Sequence, residues 1–212
     1  MKRSLAEKEV FTFEDLKEIV RILRAPDGCP WDKEQSHESL RNNLIEEAFE
    51  VCEGIDEKNS SLICEELGDV LLQVVFHCSI AEDEKEFTTE EAIGGVCRKM
   101  IRRHPHIFAS ETVEPEKLQD LWDRIKKEEK GDRSLFDTLS RISKALPNLK
   151  RAEKFIEKGA PEIALTSEDS KLFRFGERFY DLCRECVAAE VDPEEALEKY
   201  LTKVLKKAEE IR

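Results

Sequence analysis

Two short acidic motifs stand out by composition and spacing. "EEAFE", Glu46 to Glu50, crowds three glutamates onto little more than one helical turn. "EELGD", Glu65 to Asp69, follows shortly after and opens a strongly apolar run. Placed at 100° per residue, Leu40, Leu44, Ala48, Val51 and Ile55 form one apolar stripe, with Glu47 at its edge and Glu50 one turn on. On the next run, Ile63, Leu67, Val70, Val74 and Cys78 form the stripe, Glu66 flanks it and Asp69 sits beyond. Glu46 and Glu53 turn further out. A short connection makes two such helices antiparallel neighbours, so two i,i+3 carboxylate pairs face each other along one seam. Unpaired, four carboxylates there oppose one another's ionisation. A divalent cation removes that cost, and magnesium favours a few carboxylates together with substrate phosphates. The other reading is a pair of ordinary solvated helix faces.

The basic candidates come next. Lys99 and Arg103 are i,i+4 and share a helix face, as do Trp122 and Lys126. Cations suit phosphate oxygens and an indole face suits a base. For each pair the plainer reading is surface charge or core packing. His77, on the apolar run, reads as a packed histidine, and His104 and His106 as helix-end residues favoured by the dipole. The Glu-x-x-His pairs of di-iron bundles do not accompany these carboxylates, which argues against redox chemistry. Cys183 and Cys186 form a lone CxxC, better read as helix packing than as zinc.

The elements that must hold these residues are helices. The chain has 212 residues, 39% charged and 40% hydrophobic, with eight glycines, a balance that favours a soluble, helix-rich protein over a sheet protein. Helical spacing covers 13–24, then "APDGCPWDKEQS" forms a loop ending in Ser36 as an N-cap. Helices follow over about 37–57 and 61–83, and a capping box at Thr88 and Glu91 starts another that stops near Pro105. Pro115 begins the next, through "LQDLWDRIKKEEK" to Gly131. Three more run through "ALPNLKRAEKFIEKG", "SEDSKLFRFGERFYDLCRECVAAE" and the segment opened by Asp192 and Pro193. Seven cysteines, an odd number at mostly apolar helix positions, fit reduced, buried thiols. A net charge of −13 disfavours nucleic acid as a partner. The start carries no signal-like apolar stretch, and no window has the apolar length of a membrane span. The expectation is a cytoplasmic protein.

A faint internal repeat suggests duplication of a helical unit, the other reading being chance similarity between amphipathic helices. "LGDVLLQVVFHCSIAE" aligns with "FGERFYDLCRECVAAE", placing Gly68 on Gly176, and "EEAIGGVCRKMIRR" falls on "EEALEKYLTKVLKK". Lys99 then meets Lys203 and Arg103 meets Lys207, whereas Glu66 becomes Arg174 and Asp69 becomes Glu177. No "EExxE" precedes the second copy, so only the first can build an acidic site.

With these residues in hand, the chain resembles the MazG family of nucleoside triphosphate pyrophosphohydrolases. The matching text is "LRAPDGCPWDKEQSHESL", "LIEEAFEV", "EELGDVLLQVVFH", "RKMIRRHPHIF" and "LWDRIKKEE", in family order over about 16–130. "SKALPNLKRAEK" is similar to the family's linker between repeats. The resemblance implies an all-α MazG-like helical bundle over 1–131, with a linker helix and a degenerate, truncated second repeat over 132–212. It implies a homodimer and Mg²⁺-dependent hydrolysis of nucleoside triphosphates to monophosphate and pyrophosphate, a housecleaning role, with Mn²⁺ a substitute metal. Glu47, Glu50, Glu66 and Asp69 map to the metal ligands, with Glu50 and Asp69 also the catalytic carboxylates. Asn43, Lys99, Arg103, Trp122 and Lys126 map to nucleotide contacts. The second half reads as a dimer-supporting or packing element. The rival readings are a narrow pyrophosphatase for dUTP, dCTP or a damaged nucleotide, and a non-catalytic helical scaffold.

Overall fold

The helices begin where the sequence supplies caps. Thr12, Ser36 and Thr88 each accept a backbone N–H three residues on, and the side chain at that position, Asp15, Ser39 or Glu91, accepts the cap's own N–H in return. Asn59 and Ser170 cap two further helices, and Asp192 Oδ1 accepts from the amides of Glu194 and Glu195 at 2.9 and 3.2 Å.

A computed structural model describes residues 5–109, 114–130, 134–159 and 170–210. In chain order the helices are α1 (Phe13–Arg24), α2 (Pro30–Lys33), α3 (His37–Asp56), α4 (Ser60–Glu84), α5 (Thr89–Arg103), α6 (Pro105–Phe108), α7 (Leu118–Lys130), α8 (Leu135–Ser140), α9 (Asn148–Glu157), α10 (Lys171–Ala188) and α11 (Pro193–Glu210). The described residues include no strand, so the protein is all-α. Pro115 opens a 3-10 turn ahead of α7 rather than the α-helix itself. Gly131, expected to close α7, lies outside the described residues. The sequence reading missed α8, a short helix capped by Ser134.

Two compact units divide the chain, Met1–Val113 and Glu114–Arg212. In the first, α4 is the central helix. α3 lies along it, and α1 and α5 also pack on it. Val20 of α1, Leu40 of α3, and Val75, Phe76 and Ile80 of α4 form the core. Arg24 stitches the glycine- and proline-rich loop to this core. Its guanidinium donates to the carbonyls of Asp32 and Gln35 and to Asp83 on α4. Gly28 is required there, because a Cβ would lie 2.2 Å from the Leu23 carbonyl oxygen. In the second unit, α9 packs on α10 and α11, and α10 meets α11. Cys183 and Ile156 are buried at the centre of that unit.

The expected stripes on α3 and α4 are rotated in the structure. Leu40 is buried and Leu44 and Val51 are half-buried, but Ala48 and Ile55 are exposed. On α4, Leu67 and Val74 are exposed, while Glu66 and Gln73 are buried. The seam between α3 and α4 is therefore centred on the carboxylates, and much of the apolar stripe faces outward. The thiols also depart from expectation. All seven are free, yet only Cys78 and Cys183 are buried, and Cys52, Cys64 and Cys97 are exposed.

Candidate metal centre

The carboxylates meet because of a tight turn. α3 ends at Asp56, Lys58 takes a left-handed φ of 55°, and α4 starts at Ser60. Glu50 and Glu66 lie equally far from Lys58 along the chain, and so do Glu47 and Asp69. In an antiparallel hairpin each pair lands opposite itself. Gly54 lets the helices close at the turn end, where an added Cβ would sit 3.1 Å from the Ile63 side chain and backbone nitrogen.

Ligand oxygens of Glu47, Glu66 and Asp69 all lie within 4.8 Å of one another. Glu66 is only 7% exposed and shares hydrogen bonds with Glu50 and Glu47. Glu47, Glu50 and Asp69 are half-buried. Burial, followed by the hydrogen bond and charge of Glu50 and the charges of Asp69 and Glu47, pushes the Glu66 carboxyl up to about 7. Burial first, then the charges of Asp69, Glu50 and Glu46, raises Glu47 as well, and its hydrogen bond with Glu66 opposes the rise. The donors are carboxylate oxygens, the ligand type hard divalent cations prefer. Their mutual repulsion is what such a cation relieves. The four residues expected as ligands are thus together in one seam.

Asn43 precedes Glu47 by one turn on α3 and is half-buried. Beside the cluster, Asn42, Ile45, Glu46, Phe49, Glu50 and Glu53 line an open cavity of about 430 Å³. Sequence reading did not single out Asn42 or Phe49, since an exposed asparagine and an aromatic on the outer side of a helix carry no distinguishing pattern. Lys99 and Arg103 are half-buried on α5. Trp122 and Lys126 are on α7 in the second unit, where the Lys126 ammonium sits 3.6 Å from the indole centroid.

His77 is half-buried as expected, and burial lowers its pKa. Its Nδ1 lies 2.7 Å from Nδ1 of His37, with the rings parallel to within 5°. That bond pins the start of α3 to α4. A second group of donors, His37 with Glu84 and Glu86, forms at the same end, its two glutamates exposed. Residues so far apart in sequence gave no signal of either contact.

Comparison with known proteins agrees with the motifs. Residues 35–108 match the MazG nucleotide pyrophosphohydrolase domain, a span that holds all four carboxylates. The nucleoside triphosphate pyrophosphohydrolase/pyrophosphatase MazG of Thermotoga maritima is 37% identical over 223 residues, covering 94% of this chain and 86% of that protein. The nucleoside triphosphate pyrophosphohydrolase of Escherichia coli K12 is 37% identical over 64% of this chain. The uncharacterised protein YabN of Bacillus subtilis is 47% identical over 67% of it. The matched region is about half the length of the E. coli protein, at 52%, and under a third of YabN, at 29%. A crystal structure of a mazG-related protein from Thermotoga maritima aligns with a TM-score of 0.47 and 32% identity, over 54% of this chain and 98% of that one. On the Thermotoga relative's identity and coverage, the chain belongs to the MazG family of nucleotide pyrophosphohydrolases.

Proposed function

We propose that the protein hydrolyses nucleoside triphosphates between the α and β phosphorus atoms, giving nucleoside monophosphate and pyrophosphate, in a Mg²⁺-dependent reaction. The observation that carries this reading is the carboxylate seam: oxygens of three carboxylates within 4.8 Å of one another, a buried Glu66 and a Glu50 bonded to it, in a chain of this family. Glu47, Glu50, Glu66 and Asp69 hold the metal, with Mn²⁺ a substitute. When bound, the cation neutralises triphosphate charge and makes the α-phosphorus a better electrophile. Glu50 and Asp69 take the catalytic role: they orient the attacking water in line with the departing pyrophosphate, and one of the two accepts its proton as the new P–O bond forms. Lys99, Arg103 and Lys126 stabilise charge on the phosphates. Asn43 and Trp122 contact the nucleoside. The cavity beside Glu50 has a volume suited to a small ligand, and Phe49 gives it an aromatic face. The enzyme acts in the cytoplasm as a housecleaning hydrolase and as a homodimer, without nucleic acid as a partner. Among the described residues no helix is long and apolar enough to cross a membrane. From the motif "LWDRIKKEE" alone, the catalytic domain is proposed to extend through residue 131, with the second repeat following from 132.

³¹P NMR of the protein with ATP, GTP, dUTP and dCTP, each with and without Mg²⁺, tests this. The expected result is monophosphate and pyrophosphate only with Mg²⁺, lost in Glu50→Gln. Orthophosphate as the first product would overturn the assignment of the cleaved bond. Comparable kcat/KM for all four nucleotides marks a broad enzyme, and one dominant value a narrow one.

A further inference from the structure

The turn at Lys58 closes one end of the α3–α4 hairpin, and a second cluster of donors gathers at the other. His37 is the first residue of α3, and the Ser36 cap fixes the helix start there. α4 ends at Glu84. Lys85 then takes a left-handed φ of 61°, and the amides of Lys85 and Glu86 close on the carbonyls of Glu82 and Ala81 at 3.2 and 2.9 Å. That turn brings Glu86 back beside Glu84. Ligand atoms of His37, Glu84 and Glu86 all lie within 4.8 Å of one another.

The imidazole is already anchored in the way a metal ligand needs. Nδ1 of His37 lies 2.7 Å from Nδ1 of His77, with the rings parallel to within 5°. One of these nitrogens donates and the other accepts, so Nε2 is the nitrogen that His37 has left for an ion. A metal-binding histidine ordinarily has its second ring nitrogen bonded to an outer partner in this manner. The carboxylates are uncommitted. Both glutamates are exposed, and among the described residues neither side chain has a hydrogen bond or an ion pair. Their neighbours are committed: Asp83 to Arg24, and Glu82 to the amide and hydroxyl of Thr89.

We propose that His37, Glu84 and Glu86 form a second metal site, separate from the carboxylate seam, for a divalent first-row transition ion of the zinc type. The donor set decides the ion. The seam offers oxygen alone, which suits a hard cation such as Mg²⁺. An imidazole nitrogen with two carboxylates suits zinc and its neighbours. Zinc takes nitrogen and oxygen ligands at about 2.0–2.2 Å, so they stand no more than about 4.4 Å apart. Rotation of two exposed glutamate side chains closes the remaining gap, and water completes the tetrahedron. The two sites do not overlap, since His37 and Glu47 are ten residues apart along α3, about 15 Å at the helical rise. An ion here joins the first turn of α3 to the last turn of α4. It clamps the open end of the hairpin whose register brings the seam together. This inference goes beyond the hydrolase reading and does not depend on it.

Titration of the full chain with Zn²⁺ against a chromophoric chelator, in excess Mg²⁺ to compete for the oxygen-only seam, tests the proposal. A zinc site that depends on His37 is expected, and its filling should raise the melting temperature. His37→Ala should weaken zinc by more than ~100-fold, and His77→Phe, which removes only the outer partner, by ~10–100-fold. Co²⁺ in place of Zn²⁺ should show visible d–d bands without the near-ultraviolet thiolate-to-metal band of cysteine ligation. No zinc binding by the wild-type chain would overturn the proposal, as would wild-type zinc affinity in a folded His37→Ala. A thiolate band accounting for the bound cobalt would assign the ion to the cysteines and overturn it too. Should His37→Ala fail to fold, the double variant Glu84→Gln/Glu86→Gln decides, because it alters only exposed side chains. Loss of zinc binding there supports the site, and retention overturns it.

Discussion

At the scale of the residue, Glu66 concentrates the chemistry of the site. It is the most buried of the four carboxylates, and it touches Glu47 and Glu50. Its folded-state pKa of about 7 lies above the ordinary glutamate value of 4.5. The folded chain then holds a proton that the unfolded chain releases between those values. In chelator, the melting temperature is therefore expected to fall as pH rises from about 4.5 to 7, and to level off above that. Mg²⁺ should remove the decline, because the cation replaces the proton. Calorimetry in buffers of different ionisation enthalpy should register proton release on Mg²⁺ binding below pH 7 and little above it. A flat melting profile in chelator would show that the seam does not hold that proton. Glu66→Gln removes both the repulsion and a ligand charge. It is expected to stabilise the metal-free protein near pH 7 and to lower kcat/KM at least ~100-fold, a loss of about 3 kcal/mol in transition-state stabilisation.

At the scale of the element, the hairpin of α3 and α4 decides whether the carboxylates meet. The sequence pattern located both helices to within a residue or two, since caps and helical spacing are local signals. It misjudged which side of each helix faces the other. Ala48 and Leu67 fall on the expected core stripes because apolar residues ordinarily turn inward, whereas here the inward strip carries buried Gly54, Glu66 and Gln73 and half-buried Glu47. Gly54 is the reason the helices close at the turn. Gly54→Val places new atoms against Ile63, already 3.1 Å from a Cβ at this position. The expected cost is about 1–3 kcal/mol in urea unfolding, together with weaker Mg²⁺ binding as the two carboxylate pairs separate. Wild-type metal affinity in a destabilised variant would show that the seam tolerates the shift. In the second unit, Asp192 both caps α11 and pairs with Lys150. Asp192→Ala should cost about 1–2 kcal/mol, read as a lower denaturation midpoint, while Mg²⁺ binding is untouched.

At the scale of the whole molecule, the surface is unusual for an isolated chain. The first unit exposes Phe49, Leu67, Leu71 and Val74 on α3 and α4, a set large enough to mark an interaction surface. In the homodimer proposed for the hydrolase we assign Leu67, Leu71 and Val74 to the contact with a second copy, and Phe49 to the cavity beside Glu50. Leu71→Glu, exposed and clear of the carboxylates, is expected to weaken self-association in light scattering and to leave the metal-free melting temperature at low concentration nearly unchanged. An unaffected mass would assign that surface to another use. The net charge of −13 gives copies a mutual repulsion that salt screens, so pairing should tighten between low and physiological ionic strength.

What the sequence determined by itself is local. Caps at Ser36, Thr88 and Asp192, the punctuation at Pro105, and the i,i+3 spacing of Glu47 with Glu50 and of Glu66 with Asp69 follow from interactions within a few residues. They specify an all-α chain and nominate the acidic residues. The tertiary structure decided what depends on contact between distant segments: the burial of Glu66, the His37–His77 bond, the ion pairs of Lys17 and Lys150, and the outward turn of half the apolar stripe. A helix pattern describes one face relative to its own axis. Only packing chooses which neighbour that face meets, and it was the packing of α3 on α4 that turned two charged faces into one seam.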